Sequence, residues 1–411
     1  MTNTEIVDAA FRVWGRNLYQ KTSLSQLAGE LGVSKPALYR HFKSKQALNE
    51  AMTARFFDDY AAVIREGYEQ VLQNNTPDEG INTIIRSVAD FYARNVYALI
   101  FSLINIYDRN LDGYVAVEHL RSRGVDLETL QQAASKEYAA NTVVMQFTFT
   151  TLTFFMAHFH QAGNSFDNIQ SDAKIEQIIT TITKVIEHGL GYKANEIDVL
   201  DFNKLENLVG TITHSTETEP LFKAVAEAVA KAGPWEASMV MVAQRLGLSK
   251  SSLYGHFKNK KDMIRRVFLS EFKRIIDFAR HGISMSAIPA EKLYLGIFSI
   301  AVYLRSRPEF LISLRWIRTR KLDLGKSEKQ DEVFRLFEDV DIVPMRNCSA
   351  DEKRRMSYWI LFLLINTLIR AGGEPKPADA DTGIFTNTAE NYEIHSLYRF
   401  VTLGLRGFKQ C

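Results

Sequence analysis

Ser34-Lys-Pro-Ala-Leu-Tyr-Arg-His-Phe-Lys-Ser-Lys45 recurs later in the chain as Ser249-Lys-Ser-Ser-Leu-Tyr-Gly-His-Phe-Lys-Asn-Lys260. Eight of the twelve positions are identical without a gap, at a constant offset of 215 residues. The same offset pairs Ala9 with Ala224, Ala28 with Ala243, Gly32 with Gly247, and Gly189-Leu190 with Gly404-Leu405. A period this long is a duplicated domain, not a solenoid of small repeats. A chain of 411 residues has room for two such units, each large enough to bury a core.

Each copy reads as helix, tight turn, helix. Ser23 is placed to cap a helix through Leu24, Leu27, Ala28 and Leu31, whose apolar positions share one side. Gly32 follows where a left-handed residue is wanted. Ser34 then caps a second helix, which tolerates Pro36 in its first turn because no intrahelical N–H is needed there. Leu38 and Phe42, four apart, anchor that helix from behind and leave Lys35, Ala37, Tyr39, Arg40 and His41 to project outward. A short helix with a buried rear and an exposed polar face suits insertion into the major groove. From Ser34 to Lys45 there are four basic residues and no acidic one, and from Ser249 to Lys260 three and none. In a chain of net charge only +2, this local imbalance is what points to a nucleic-acid backbone.

Leu27-Ala28, Gly32-Val-Ser34 and Leu38-Tyr-Arg-His-Phe-Lys-Ser-Lys45 together resemble the signature of the TetR family of bacterial transcriptional regulators, and the signature is present twice. The resemblance implies an all-α fold of two TetR-like units. Each would be a three-helix helix-turn-helix DNA-binding part followed by a larger helical ligand-binding and dimerisation body. The expected division is a first DNA-binding domain at 1–46 and a first regulatory body at 47–192, then a linker at 193–216. A second DNA-binding domain at 217–261 and a second body at 262–411 would follow. The implied partners are a double-stranded DNA operator and a small-molecule effector that modulates a repressor, with no cofactor.

By position, Tyr39, His41 and Lys45 resemble phosphate-contacting residues, while Pro36, Ala37 and Arg40 lie on the base-reading face. Ser23, Ser25, Ser34 and Lys35 complete the DNA-facing set of the first unit. The second set is Ser238, Ser249, Lys250, Ser251, Ser252, Tyr254, His256 and Lys260. Its reading face departs from the first, with Ser251, Ser252 and Gly255 in place of Pro36, Ala37 and Arg40. The lost Arg is the side chain best suited to bidentate guanine contact, although Arg40 suits backbone contact as well. The preceding helix, Met239-Val-Met-Val-Ala243, is also more apolar than Leu24-Ser-Gln-Leu-Ala28. Backbone binding by both units with unequal base reading implies an asymmetric operator. The rival is a small-molecule or protein-binding module in which the second, or both, helix-turn-helix units are vestigial.

Both halves read as helical throughout. Met145, Phe149, Leu152, Met156 and Phe159 form one apolar helix stripe. Phe147-Thr-Phe149 also alternates like a strand, but the length and the sustained stripe favour helix. Tyr358, Phe362, Ile365 and Ile369 mark the counterpart. A further pair of stripes is Ile175, Ile178, Ile182 and Val185 with Ile394, Leu397, Val401 and Leu405. Helices near 141–161 and 172–189 are expected to pack on those near 353–370 and 389–405 as an internal pseudo-dimer. Breaker residues between Gly191 and Pro220 suggest the linker, with a short helix allowed over Leu200 to Val209. Tyr92, Tyr97 and Tyr107 with Thr148 and Thr153 offer the apolar wall and few polar groups that suit an effector cavity in the first unit.

Other function classes find little footing. The apolar share of 46% and charged share of 24% are those of an ordinary globular protein. Met1-Thr-Asn-Thr-Glu-Ile6 does not read as a signal peptide. The apolar stretch Tyr358 to Ile369 is shorter than the ~20 residues of a bilayer span. Cys348 and Cys411 are the only cysteines, which is no disulfide framework and fits a cytoplasmic setting. His158 and His160, two apart on a helix, point about 200° apart and are not expected to share a metal. The basic run Arg315 to Lys321 around Trp316 reads as a solvated face. No hydrolase, P-loop or dinucleotide motif is present, and adjacent carboxylates such as Asp58-Asp59 do not converge, so an enzyme is not expected.

Overall fold

The computed structural model describes residues 2–16, 23–73, 77–103, 114–135, 138–139, 142–162, 171–212, 220–319, 336–337, 349–371 and 391–409. Nearly all of these are helical, and the β-bridge found among them pairs Tyr138 with Lys409. The chain divides into two units, Met1–Ile186 with Phe408–Cys411, and Glu187–Gly407.

In the first unit, helices Asn3–Arg16, Leu24–Glu30 and Lys35–His41 precede the long helix Lys45–Gln73, which pairs with Pro77–Arg94. Val96–Phe101, Tyr114–Arg121, Leu127–Ala134, Thr142–Ala162 and Asp172–His188 follow. The strand-like alternation at Phe147–Phe149 gives way to the helix Thr142–Ala162, which buries Phe147, Leu152, Phe155 and Met156. Arg123 fastens the small helices to the long one. It pairs with Asp58 at 2.7 Å and donates to Ala54 O at 3.0 Å, while His119 stacks on Phe57 with centroids 4.7 Å apart.

The second unit begins with Ala194–Ile197 and Phe202–Gly210, then repeats the pattern. Pro220–Glu236, broken at Gly233, and Met239–Leu246 and Lys250–His256 lead into Lys260–Ser284. Pro289–Arg305, Pro308–Thr319, Ala350–Ala371 and Tyr392–Leu403 follow, and a 3-10 turn Gly404–Phe408 closes the series. Duplication has kept the packing register as well as the motif. A Cβ on Gly67 would lie 2.6 Å from Gly80 O and 2.6 Å from Ile84 Cγ1, so the two helices touch backbone to backbone there. In the second unit Gly282 meets Leu295 O and Ser299 in the same way, and all three positions are shifted by the repeat offset of 215.

Two expectations from the sequence meet a different arrangement. The stretch 193–216, expected as a linker, is through residue 212 largely built into the second unit. Asp201 caps Phe202–Gly210 by accepting from Lys204 N at 3.0 Å, and Leu205 and Val209 are buried. Glu206 on this helix accepts from Tyr294 OH at 2.6 Å, His395 Nε2 at 2.6 Å and Asn391 Nδ2 at 2.7 Å. Burial alone would raise the Glu206 carboxyl, but these donors outweigh it and hold the group below its ordinary value. Apolar spacing prevails over breaker composition at Leu205 and Val209. The second difference is on Ala350–Ala371, where the fully buried face is Trp359, Ile360, Leu363 and Leu364. Tyr358, Phe362 and Ile365 of the expected stripe are half-buried. From Tyr358 to Ile365 every residue of this helix is apolar, so spacing does not select its inner side there.

Replacing Gly67 by Ala should therefore cost about 1–3 kcal/mol through overpacking. Gly29 lies in a helix with nothing within 4 Å of its would-be Cβ. Gly29→Ala should instead stabilise by about 0.5–1 kcal/mol. Thermal unfolding of the full chain distinguishes the two, and equal effects would refute the packing register described here.

Candidate nucleic-acid interface

In the first unit, Ser23 and Gln26 cap each other. Ser23 Oγ accepts from Gln26 N at 3.2 Å, and Gln26 Oε1 accepts from Ser23 N at 2.7 Å. Leu24, Leu27 and Ala28 are buried beneath this helix. Gly32 takes φ 64, and Val33 N closes the turn by donating to Ala28 O at 2.9 Å. Ser34 Oγ accepts from Ala37 N at 3.3 Å at the start of Lys35–His41, with Pro36 in the first turn. Leu38 and Phe42 are buried, and Phe42 N donates to Leu38 O at 3.0 Å. With both ends and the rear held, Lys35, Pro36, Tyr39, Arg40 and His41 are exposed and Ala37 is half-exposed. Ser23, Ser25 and Ser34 are exposed on the same segment. Lys35 Nζ lies 5.7 Å from the centroid of the Tyr39 ring, and Lys45 Nζ 5.8 Å from that of Trp14. His41 Nδ1 donates to Asn3 Oδ1 at 2.7 Å.

The second unit repeats this scaffold, with Met241 in place of Gln26 so that the reciprocal bond to the cap backbone is absent. Ser238 Oγ accepts from Met241 N at 3.2 Å, Gly247 takes φ 65, and Leu248 N donates to Ala243 O at 2.9 Å. Ser249 Oγ accepts from Ser252 N at 3.1 Å, Leu253 and Phe257 are buried, and Phe257 N donates to Leu253 O at 3.1 Å. Helix Lys250–His256 matches Lys35–His41 at both ends under the repeat offset. Ser251, Ser252, Tyr254, Gly255 and His256 are exposed, and Ser238 and Lys260 are half-buried. The side chain of Lys250 lies outside the described residues.

The two faces nevertheless differ chemically. Ser251 Oγ already engages Ser249 Oγ at 2.8 Å, and Gly255 presents no side chain where the first unit has Arg40. Val240 and Leu248 are 41% and 44% exposed, where the first unit has the hydroxyl of Ser25 and a half-buried Val33. Asp262, at the position of Ala47, accepts from Lys258 N at 3.1 Å and pairs with Arg266 at 3.1 Å. The bond from the Lys258 backbone holds its carboxyl below the usual range. A carboxylate that stays ionised beside this face opposes phosphate, and the first unit has none at that position.

The residues expected around an effector cavity are only partly brought together. Tyr92 is fully buried among Tyr60, Phe91 and Phe149, at centroid distances of 6.2, 5.5 and 6.4 Å. Its OH lies beside Ser102, and burial pushes the phenol up. Thr148 and Thr153 donate to their own helix, at Val144 O and Thr150 O, both at 3.0 Å. Tyr97 is half-buried on Val96–Phe101, and Tyr107 lies outside the described residues. An open groove of about 470 Å³ borders the aromatic group at Phe91, with the ion pairs Arg86–Glu176 and Arg94–Asp90 at its rim.

The repeat offset places Glu271 at the position of Phe56 and Arg307 at that of Tyr92. Both are buried and form an ion pair at 3.4 Å. Tyr303 OH donates to Glu271 Oε2 at 2.9 Å, Arg274 pairs with Glu271 at 3.0 Å, and the Arg307 guanidinium lies 4.8 Å from the Tyr303 ring centroid. Burial, with the Glu271 charge adding to it, pushes the Tyr303 phenol up. Sequence reading missed this cluster. Its signal was one acid, Glu271, on the apolar helix face of Val267, Phe268 and Ile275.

His158 and His160 donate separately to Phe154 O at 3.3 Å and Tyr92 O at 2.8 Å. No group of His, Cys, Asp and Glu among the described residues is arranged to hold a metal. No described helix is long and apolar enough to cross a membrane. The side chains of the run Arg315 to Lys321 lie outside the described residues.

A family model described as bacterial regulatory proteins of the tetR family matches the chain twice, at residues 6–52 and 221–267. Both matches span the capped helix, the glycine turn and the second helix described above. Comparison with curated proteins gives no match.

The buried ion pair generates a stability prediction. Glu271→Ala leaves the Arg307 charge buried without its carboxylate and should cost about 3–5 kcal/mol. Installing the first unit's residues together, Glu271→Phe with Arg307→Tyr, should cost less than either single change. Denaturant unfolding checks this, and additive losses would show that the two residues do not act as a pair.

Proposed function

We propose that this chain, which carries two tandem DNA-binding domains of the TetR family, is a transcriptional repressor that binds an asymmetric operator as a covalent pseudo-dimer. The observation that carries the reading is the pair of second helices, alike in scaffold and unlike in face. Tyr39/Tyr254, His41/His256 and Lys45/Lys260 form the same backbone-contact set in both units, joined by the hydroxyls of Ser23, Ser34, Ser238 and Ser249. Such contacts fix register on the duplex, while base edges are read by what projects between them. Arg40, with Pro36 and Ala37, offers a bidentate guanine contact. Ser251, Ser252 and Gly255 offer short hydroxyls and a gap. One half-site is then strongly specified and the other loosely.

The division at 1–46, 47–192, 217–261 and 262–411 assigns one regulatory body to each DNA-binding part. Fusion makes pairing of the bodies intramolecular and removes most of its entropy cost. The chain should accordingly sediment near its monomer mass of 46.8 kDa at micromolar concentration. The effector is a largely apolar small molecule taken by the first unit. The buried Tyr92 among Tyr60, Phe91 and Phe149 supports this, because an aromatic wall carrying a polar group suits a largely apolar ligand. In the second unit the matching place is filled by Glu271 and Arg307.

A second reading keeps only the first unit on DNA, with the second helix-turn-helix vestigial. The exposed Val240 and Leu248 favour it. Salt dependence separates the two. Lys45→Ala and Lys260→Ala should each weaken binding to all sequences alike and lower the salt slope by about one. An unchanged slope in Lys260→Ala would remove the second unit from the interface. Arg40→Ala should cost about 1–3 kcal/mol on the preferred operator and relax the preference at one base pair. A uniform loss on every sequence would assign Arg40 to the backbone.

A further inference from the structure

We propose that Asn3 is a positioning residue of the DNA interface, holding the imidazole of His41 so that its outer nitrogen is set for a phosphate oxygen. This rests on the reading that His41 contacts the DNA backbone. The two residues are 38 positions apart, yet His41 Nδ1 donates to Asn3 Oδ1 at 2.7 Å. Both are exposed, so burial does not force them together. An exposed hydrogen bond adds little to folding, because water replaces it readily. What it does supply is orientation. With Nδ1 donating to Asn3, Nε2 is the ring nitrogen left to face outward, and it donates to a phosphate oxygen when the ring carries both protons.

The bond is also well founded on the side of Asn3. Thr2 N donates to Glu5 Oε2 at 2.6 Å and Glu5 N to Thr2 Oγ1 at 3.2 Å, a reciprocal cap that fixes where the helix Asn3–Arg16 begins. Ile6, Ala9, Ala10, Val13 and Trp14 are buried along this helix, so its start is held by the core. Thr218 occupies the corresponding position in the second unit and lies outside the described residues, and the helix there begins at Pro220. His256 makes no hydrogen bond to a described residue. The first unit therefore presents its histidine already oriented, in keeping with its role as the more exacting reader. A side chain fixed before binding spares the ordering cost that a free rotamer incurs, a gain of roughly three- to tenfold in affinity.

The test is a double-mutant cycle on the full chain, read as the dissociation constant for a random-sequence duplex at fixed salt. His41→Ala should weaken binding. Asn3→Ala should weaken it roughly three- to tenfold when His41 is present and not at all in the His41→Ala background. Asn3→Ser, too short to reach the ring, should behave like Asn3→Ala, and neither should move the thermal midpoint. If His41→Ala leaves binding intact, the phosphate-contact reading itself fails. If His41→Ala weakens binding while Asn3→Ala acts equally in both backgrounds, or in neither, Asn3 is not a positioning residue and the proposal is overturned.

Discussion

A helix of seven residues is too short to hold itself together in water, so the conformation of Lys35–His41 is owed to what surrounds it. Ser34 satisfies the first amide and Leu38 is driven into the core. Phe42 closes the last turn, and Gly32 supplies the left-handed residue that aims the helix outward. The outward residues are thereby freed from any structural duty. This is why the second unit keeps Ser249, Leu253, Phe257 and Gly247 unchanged in role while its exposed positions have drifted to Ser251, Ser252 and Gly255. Scaffold and face are separable, and the duplicated chain shows both halves of that separation.

The bodies show the same freedom in their interiors. The close approach at Gly67 and at Gly282 keeps the two long helices in one register, and within that register the filling has been exchanged. The first unit puts aromatic rings, among them the buried Tyr92 phenol, beside the long helix that follows its DNA-binding part. The second puts a carboxylate, two guanidinium groups and a phenol in mutual contact. A buried pair of this kind contributes little net stability beyond what apolar packing would give, since desolvation offsets its attraction. Its effect is to fix which groups face each other.

How much of this was legible in the sequence follows from the distance over which each feature is written. The helix-turn-helix was fully legible, because its caps, its turn glycine and its anchors lie within a dozen residues and each has a local chemical reason. The helical class of Thr142–Ala162 was legible from a sustained stripe, against a strand-like fragment only three residues long. Features set by distant partners were not. Nothing near Asn3 announces His41, and nothing near Glu271 announces Arg307. In the 193–212 stretch a short helix over Leu200 to Val209 was legible, but its seating through the buried Leu205 and Val209 was not, because the contacts that bury them come from distant residues. On Ala350–Ala371 the stretch Tyr358 to Ile365 is continuously apolar, so the inner face there is chosen by neighbours and not by pattern.

The central claim is that one chain presents two DNA-binding faces of equal scaffold and unequal reading. Selection of bound sequences from a randomised duplex pool by the full-length protein addresses it directly. One half-site should emerge tightly constrained, with guanine opposite Arg40, and the other should emerge with only weak preferences. A palindrome equally constrained on both sides would contradict the account, because it would mean that the two faces read alike or that two chains bind through one of them.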